Sequence, residues 1–235
     1  MHEHLSTQFD VELDTIRAHL TRMGGMVQEQ VRNALGVLAN GDREIIEAIV
    51  EQDKGVNEME VAIDMACANL VARRQPTAID LRLVMAIGKT VTDLERIGDE
   101  AKKIAGTTRK IVERGDGGSL SQVMEIRHMG EQAAAMLNSV LDAFVRLDYQ
   151  AAALVVRSDK EVDQHFQAII RQLITYMMED PRTITTALDI VFIAKSVERI
   201  GDHCKNIAED IIYIVKGRDV RHKGLDELER EITAA

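Results

Sequence analysis

The sequence predicts an all-α protein of six long helices, arranged as two tandem, homologous three-helix bundles. Three observations predict it. Helix formers dominate, while proline, which breaks helices, occurs only twice in 235 residues. Apolar residues recur at alternating spacings of three and four along almost the whole chain, the period of an amphipathic helix. The string Glu-Arg-Ile-Gly-Asp occurs at residues 95–99 and again at 198–202, a shift of 103 residues within matched helical contexts, which marks an internal duplication.

The elements follow in order. Phe9, Leu13, Ile16, Leu20, Met23, Val27, Val31, Ala34 and Leu38 form the first apolar stripe, and Asn40-Gly41-Asp42 supplies a stop and then a new N-cap. Ile45, Ile49, Gln52, Val56, Met59, Ile63, Ala66 and Leu70 form the second. Pro76 interrupts it, and Thr77 is placed to cap the third, which runs through Leu94, Ile97, Ala101, Ile104, Thr108 and Ile111. Gly115-Asp-Gly-Gly118 is the natural boundary, so the predicted domains are 1–115 and 116–235. Ser119-Leu-Ser-Gln122 has the capping-box pattern that restarts a helix.

Val123, Ile126, Gly130, Ala133, Leu137, Val140, Phe144 and Leu147 make the fourth stripe. Asp148 caps a fifth helix ending near Asp180-Pro181, and the sixth carries Val197, Ile200, Cys204, Ile207, Ile211 and Ile214 before stopping around Gly217. The duplication reaches beyond the pentapeptide: Arg22-Met23-Gly24 aligns with His128-Met129-Gly130, and Asp53-Lys54 with Asp159-Lys160. No segment has the alternation and turn chemistry of a hairpin, so no sheet is expected. The tail from Arg218 is polar, with one short amphipathic candidate at 225–232.

With no Trp and few other aromatic residues, the core is expected to be aliphatic and methionine-containing. A net charge of −10 without a basic stripe is a poor match for nucleic acid or an anionic membrane surface. No window is long and apolar enough to span a membrane, and Met-His-Glu-His is not laid out as a signal peptide, so the expected location is the cytoplasm, without membrane insertion. Cys67 and Cys204 fall on apolar stripes as isolated, buried thiols, which suits a reducing compartment.

The chemistry concentrates in the repeated carboxylates. Glu95 and Asp99, like Glu198 and Asp202, stand four apart on one helical face, where like charges repel by about 0.2–0.5 kcal/mol. Each pair straddles a glycine, Gly98 or Gly201. A mid-helix glycine costs about 1 kcal/mol against alanine, so its appearance at both repeat positions implies a close steric approach. The second helix of each half adds Asp53/Asn57 and Asp159/Asp163 at the same spacing. Carboxylates from two adjacent helices can form an all-oxygen site for Mg²⁺, Mn²⁺, Ca²⁺ or iron. The alternative is a solvated face of salt bridges, with Lys102 serving Asp99, Lys205 serving Asp202, and Arg96 and Arg199 adjoining.

The doubled Glu-Arg-Ile-Gly-Asp, the Asn206-Ile-Ala-Glu209 after its second copy, and the tandem three-helix plan resemble the PhoU family, accessory proteins of bacterial phosphate-specific transport. The resemblance runs from about Phe9 to Lys223. It implies a cytoplasmic homodimer with no reaction of its own, coupling the phosphate transporter, through its ATPase subunit, to a sensor histidine kinase. It thereby implies repression of phosphate-starvation genes and phosphate uptake when phosphate is plentiful. It also implies divalent or multinuclear metal (iron, manganese or magnesium) at the motif positions: Glu95, Asp99, Glu198 and Asp202, with Asp159 and Asp163 a weaker match. The first half departs from the pattern. Lys103, Gly106 and Glu100 stand where the second copy has Asn206, Glu209 and His203, which favours the second site over the first.

Other readings are weaker. A di-iron carboxylate enzyme needs two Glu-x-x-His motifs facing one core, and only Glu125-Ile-Arg-His128 exists. There His128 falls opposite the apolar face, on the surface, and His165 does not share the face of Asp163. Gly88-Lys89-Thr90 lacks the earlier glycine and strand of a phosphate-binding loop and reads as helix interior. A metal-free helical scaffold is the remaining alternative.

Overall fold

The computed structural model describes residues 2–115 and 121–220, with side chains from 8 to 115 and from 124 to 220. Six α-helices fill it: α1 (His2–Asn40), α2 (Arg43–Arg74), α3 (Ala78–Glu113), α4 (Ser121–Arg146), α5 (Tyr149–Glu179) and α6 (Ile184–Lys216). A 3-10 turn, Pro181–Thr183, joins the last two, and no strand occurs among the described residues. The expected all-helical class therefore holds.

The helix ends follow local chemistry. Gly41, at φ +63°, closes α1, and the Asp42 carboxylate accepts from the backbone N–H groups of Glu44 and Ile45. Asp148 caps α5 in the same way through Gln150 and Ala151, and Gly217 ends α6 with left-handed backbone. Thr77 sits at the N-cap of α3, but its hydroxyl makes no capping bond and turns instead to Asp80. The boundary glycines after Gly115, the start of the 119–122 capping box and the 225–232 segment lie outside the described residues.

Helices α1, α2 and α3 pack on one another, as do α4, α5 and α6; the two sets meet where α3 lies on α6 and α1 on α4. One aliphatic core runs continuously through both halves, with Phe144 its sole aromatic among the described buried residues. On α6 every predicted stripe residue from Val197 to Ile214 is buried. Each such side chain contributes about 1.5–3 kcal/mol on leaving water.

The two halves meet about an approximate two-fold axis. Helix α3 runs antiparallel to α6, as four cross-pairs show: Lys89 with Asp210 (3.2 Å), Asp93 with His203 (2.8 Å), Glu100 with Arg199 (3.3 Å) and Arg114 with Asp189. Lys89, in the stretch read as helix interior, lies on α3 as expected and is an inter-bundle cation, stacked also on Tyr213. The α1–α4 contact is reciprocal. Leu141 presses on Gly24, and Leu35, its counterpart 106 residues earlier, presses on Gly130. Two aligned glycines let two leucines act as knobs between the helix backbones.

Candidate functional site

The repeated carboxylates sit at the α2–α3 and α5–α6 seams. Glu95, Asp99, Glu198 and Asp202 are half-buried, Asp53 and Asp159 are buried at 2% exposure each, and Asp163 and Asn57 are exposed. Within each half the seam brings the two acidic rows together. Burial raises the Asp202 carboxyl above its ordinary range, and Glu198, Asp159 and Asp163 push it further. Asp163 is raised by burial and then by Asp159 and Glu198. In the first half Glu95 is raised by burial, then by Asp99, Glu60 and Asp53.

Sequence reasoning missed Glu60 and Asp64. They form a further Glu-x-x-x-Asp on α2, both raised by burial, with Asp64 also acting on Glu60 and Asp99 acting on Glu60 more weakly. The signal was present as i, i+4 spacing, but the second half has Phe166 and Ile170 there, so a search guided by the repeat passed over it.

The glycines have the predicted steric cause. A Cβ on Gly201 would meet Asp159 Oδ1 at 3.3 Å, and one on Gly98 would meet Gln30 Oε1 at 2.9 Å. What approaches the backbone is a neighbouring side chain, and in the second half it is one of the candidate carboxylates itself.

The lysines serve other partners than their spacing suggested. Lys102 donates to Asp53 at 2.6 Å and only grazes Asp99 at 3.9 Å. Lys205 donates to Asp159 at 2.9 Å. These are equivalent pairs, a buried aspartate clasped by a half-exposed lysine across each helix seam. The hydrogen bond to Asp53, reinforced by Asp99 and Glu95, raises the Lys102 ammonium above its usual value. Lys195 takes Glu198 at 2.6 Å. Arg199 reaches across to Glu100, where burial is outweighed by hydrogen bonds from Lys103, Ser196 and Arg199, so that its carboxyl is held below the usual range.

The two motifs line opposite walls of a groove of about 690 Å³ between α3 and α6, with Arg96 and Asp99 on one side and Asp202 and His203 on the other. Of the departures noted in the first half, Glu100 makes an inter-bundle contact, with Arg199, while Lys103 pairs with Glu100 along α3. On the other side His203 and Asn206 both bind Asp93.

Among the described residues, no three His, Cys, Asp or Glu side chains converge as a ready ligand set. The donors are nonetheless all oxygen, mutually repelling and partly dry. Asp53 Oδ1 is buried with no hydrogen-bond partner. That chemistry fits a hydrated hard cation held through one or two carboxylates per helix, a mode typical of Mg²⁺.

The family is decided by comparison with known proteins. The PhoU domain profile matches residues 20–108 and, a second time, 126–211. The chain belongs to the PhoU family. Over 230 residues it is 48% identical to the phosphate-specific transport system accessory protein PhoU of Escherichia coli K12, covering 98% of this chain and 94% of that one. It is 46% identical over 229 residues to the Pseudomonas aeruginosa PhoU homolog, covering 97% and 94%. The crystal structure of PhoU from Pseudomonas aeruginosa superposes with a TM-score of 0.86, over 89% of this chain and 100% of that one, at 46% identity. The PhoU regulatory protein from Streptococcus pneumoniae superposes at 0.82, over 90% and 99%, with 31% identity. The double profile match coincides with the duplication read from the pentapeptide, so in this PhoU-family chain each carboxylate row belongs to one repeat.

Burial, with repulsion within the second row, predicts a pH effect. Raised carboxyls bind protons more tightly in the folded protein than in the unfolded chain. Their favourable contribution is therefore complete below the ordinary Asp range and is lost as pH rises through the raised values. Thermal melts of native protein and Asp202→Asn between about pH 4 and pH 6 are expected to show a shallower pH-dependent loss in the variant. Parallel curves would remove Asp202 from the repelling set.

Proposed function

We propose that the chain is an accessory regulator of phosphate-specific transport. In this reading it is a cytoplasmic homodimer without a reaction of its own, coupling the transporter's ATPase subunit to a sensor histidine kinase. It represses phosphate-starvation genes and phosphate uptake when phosphate is plentiful. The observation that carries the reading is the 48% identity, along nearly the whole chain, to a protein named for that accessory role. No described helix is long and apolar enough to cross a membrane, which is compatible with a peripheral partner of a transporter.

Glu198 and Asp202 on α6 and Asp163 on α5 would hold a cation in the second repeat, with Asp159 behind them on Lys205. Glu95 and Asp99 would do so in the first. A cation held there would supply positive charge to offset the repulsion among these carboxylates. This chain's own residues set how open the faces are, through the Asp53–Lys102 and Asp159–Lys205 clasps. A metal-free scaffold is the second reading, favoured by the lysines already lying on Asp53, Asp159 and Glu198.

One experiment addresses both. A strain lacking its own copy and carrying a phosphate-starvation reporter is complemented with the native chain or with Glu198→Ala/Asp202→Ala, and each purified protein is assayed for bound metal. The native chain is expected to restore repression in high phosphate and to carry metal that the variant loses. Failure of the native chain to repress would defeat the regulatory reading; equal metal in both proteins would defeat the ligand assignment alone.

A further inference from the structure

The second repeat carries one constellation that the carboxylate rows do not use. His128 on α4 and His165 on α5 meet edge to face, with ring centroids 5.5 Å apart and planes at 69°. The sequence placed His128 on the surface, where it lies, and placed His165 off the face of Asp163. The seam turns His165 towards α4, where Nδ1 lies 2.7 Å from Gln132 Oε1. An amide oxygen can only accept, so Nδ1 carries the hydrogen, and in the neutral ring the lone pair is then on Nε2. A hydrogen bond from the other ring nitrogen fixes the tautomer of a metal-binding histidine in the same way.

We infer that His128 and His165 form a two-imidazole site for a borderline transition-metal ion, with Zn²⁺ as the representative ligand, bridging α4 and α5. Two imidazoles bound through one nitrogen each at about 2.0–2.1 Å in tetrahedral geometry hold their centroids roughly 5 Å apart, close to the separation seen here. Imidazole nitrogen suits zinc, copper and nickel, whereas carboxylate rows suit magnesium, calcium and manganese, so the two kinds of site differ in the ions they select.

His128 is exposed and His165 half-exposed, so water completes the coordination. No third His, Cys, Asp or Glu converges among the described residues, which makes the site weak and reversible. The duplication supplies an internal control. The first-repeat positions equivalent to His128, His165 and Gln132 are Arg22, Met59 and Met26, which offer no imidazole. The site belongs to the second repeat alone.

The test is Zn²⁺ titration by calorimetry on the full chain, with thermal melts at saturating zinc. Native protein, His128→Gln, His165→Gln, Gln132→Leu and Glu198→Gln/Asp202→Asn are compared. Each histidine variant is expected to bind one zinc fewer per chain and to lose part of the zinc-dependent rise in Tm, while melting as native without zinc. Gln132→Leu is expected to weaken that site by about tenfold, and the carboxylate variant is expected to keep it. Unchanged zinc stoichiometry in both histidine variants would overturn the proposal, as would its loss in the carboxylate variant with the histidines intact. That second result would place the ion on the acidic row and leave the histidine contact as packing.

Discussion

Lys102→Met is expected to destabilise the protein by about 3 kcal/mol, a fall of roughly 6–12 °C in Tm for a chain of this size. The physical reason lies in Asp53. It is 2% exposed, its Oδ1 already lacks a partner, and Lys102 at 2.6 Å is the donor to Oδ2. Methionine keeps the packing of the lysine stem but leaves a carboxylate desolvated and uncompensated. Adding Asp53→Leu removes the stranded charge, so Asp53→Leu/Lys102→Met is expected to recover most of the loss. Urea or thermal unfolding of the two single variants and the double closes the cycle. If Lys102→Met melts with the native protein, the clasp is a surface ornament rather than a buried pair.

The second large effect separates two glycines that look equivalent in the sequence. Gly130→Ala is expected to destabilise by about 2 kcal/mol, whereas Gly24→Ala is expected to stay near neutral. A Cβ on Gly130 would clash with Leu35 Cδ2, with Leu35 Cδ1 at 3.1 Å and Cγ at 3.2 Å, and Leu35 is itself buried at 6% exposure. A Cβ on Gly24 would lie 2.8 Å from Leu141 Cδ2, but Leu141 is only partly buried and can swing aside. There the gain of about 1 kcal/mol in helix propensity offsets the displacement. Leu35→Ala should rescue much of the Gly130→Ala defect by emptying the space the new methyl needs. Thermal melts of the four variants decide the matter. Equal losses at both glycines would mean that the α1–α4 contact relaxes as a whole.

Much of the candidate site was legible for a simple reason. A duplicated pentapeptide on a helix fixes which residues share a face, so Glu95 with Asp99 and Glu198 with Asp202 followed from spacing alone. The glycines between them announced a close approach but not its identity, because what fills the space, Gln30 or Asp159, comes from another helix. The lysine assignments were incomplete for the same reason. Spacing along α3 pointed Lys102 to Asp99, yet a buried aspartate across the seam is the stronger partner in drier surroundings. The contact of His165 with Gln132 on α4, 33 residues earlier, was likewise out of reach of spacing along α5.

By itself, then, the sequence determined what periodicity, capping and repetition can carry. These were six helices, an aliphatic core and two acidic rows, decided by neighbours a few residues away, and two matching repeats, decided by the recurrence of one pentapeptide. Only the tertiary structure decided how the repeats face each other: antiparallel α3 on α6, leucine knobs on reciprocal glycines, and lysines drawn onto buried aspartates. Those choices rest on desolvation and close packing between helices far apart in the chain, and no local spacing rule registers either quantity.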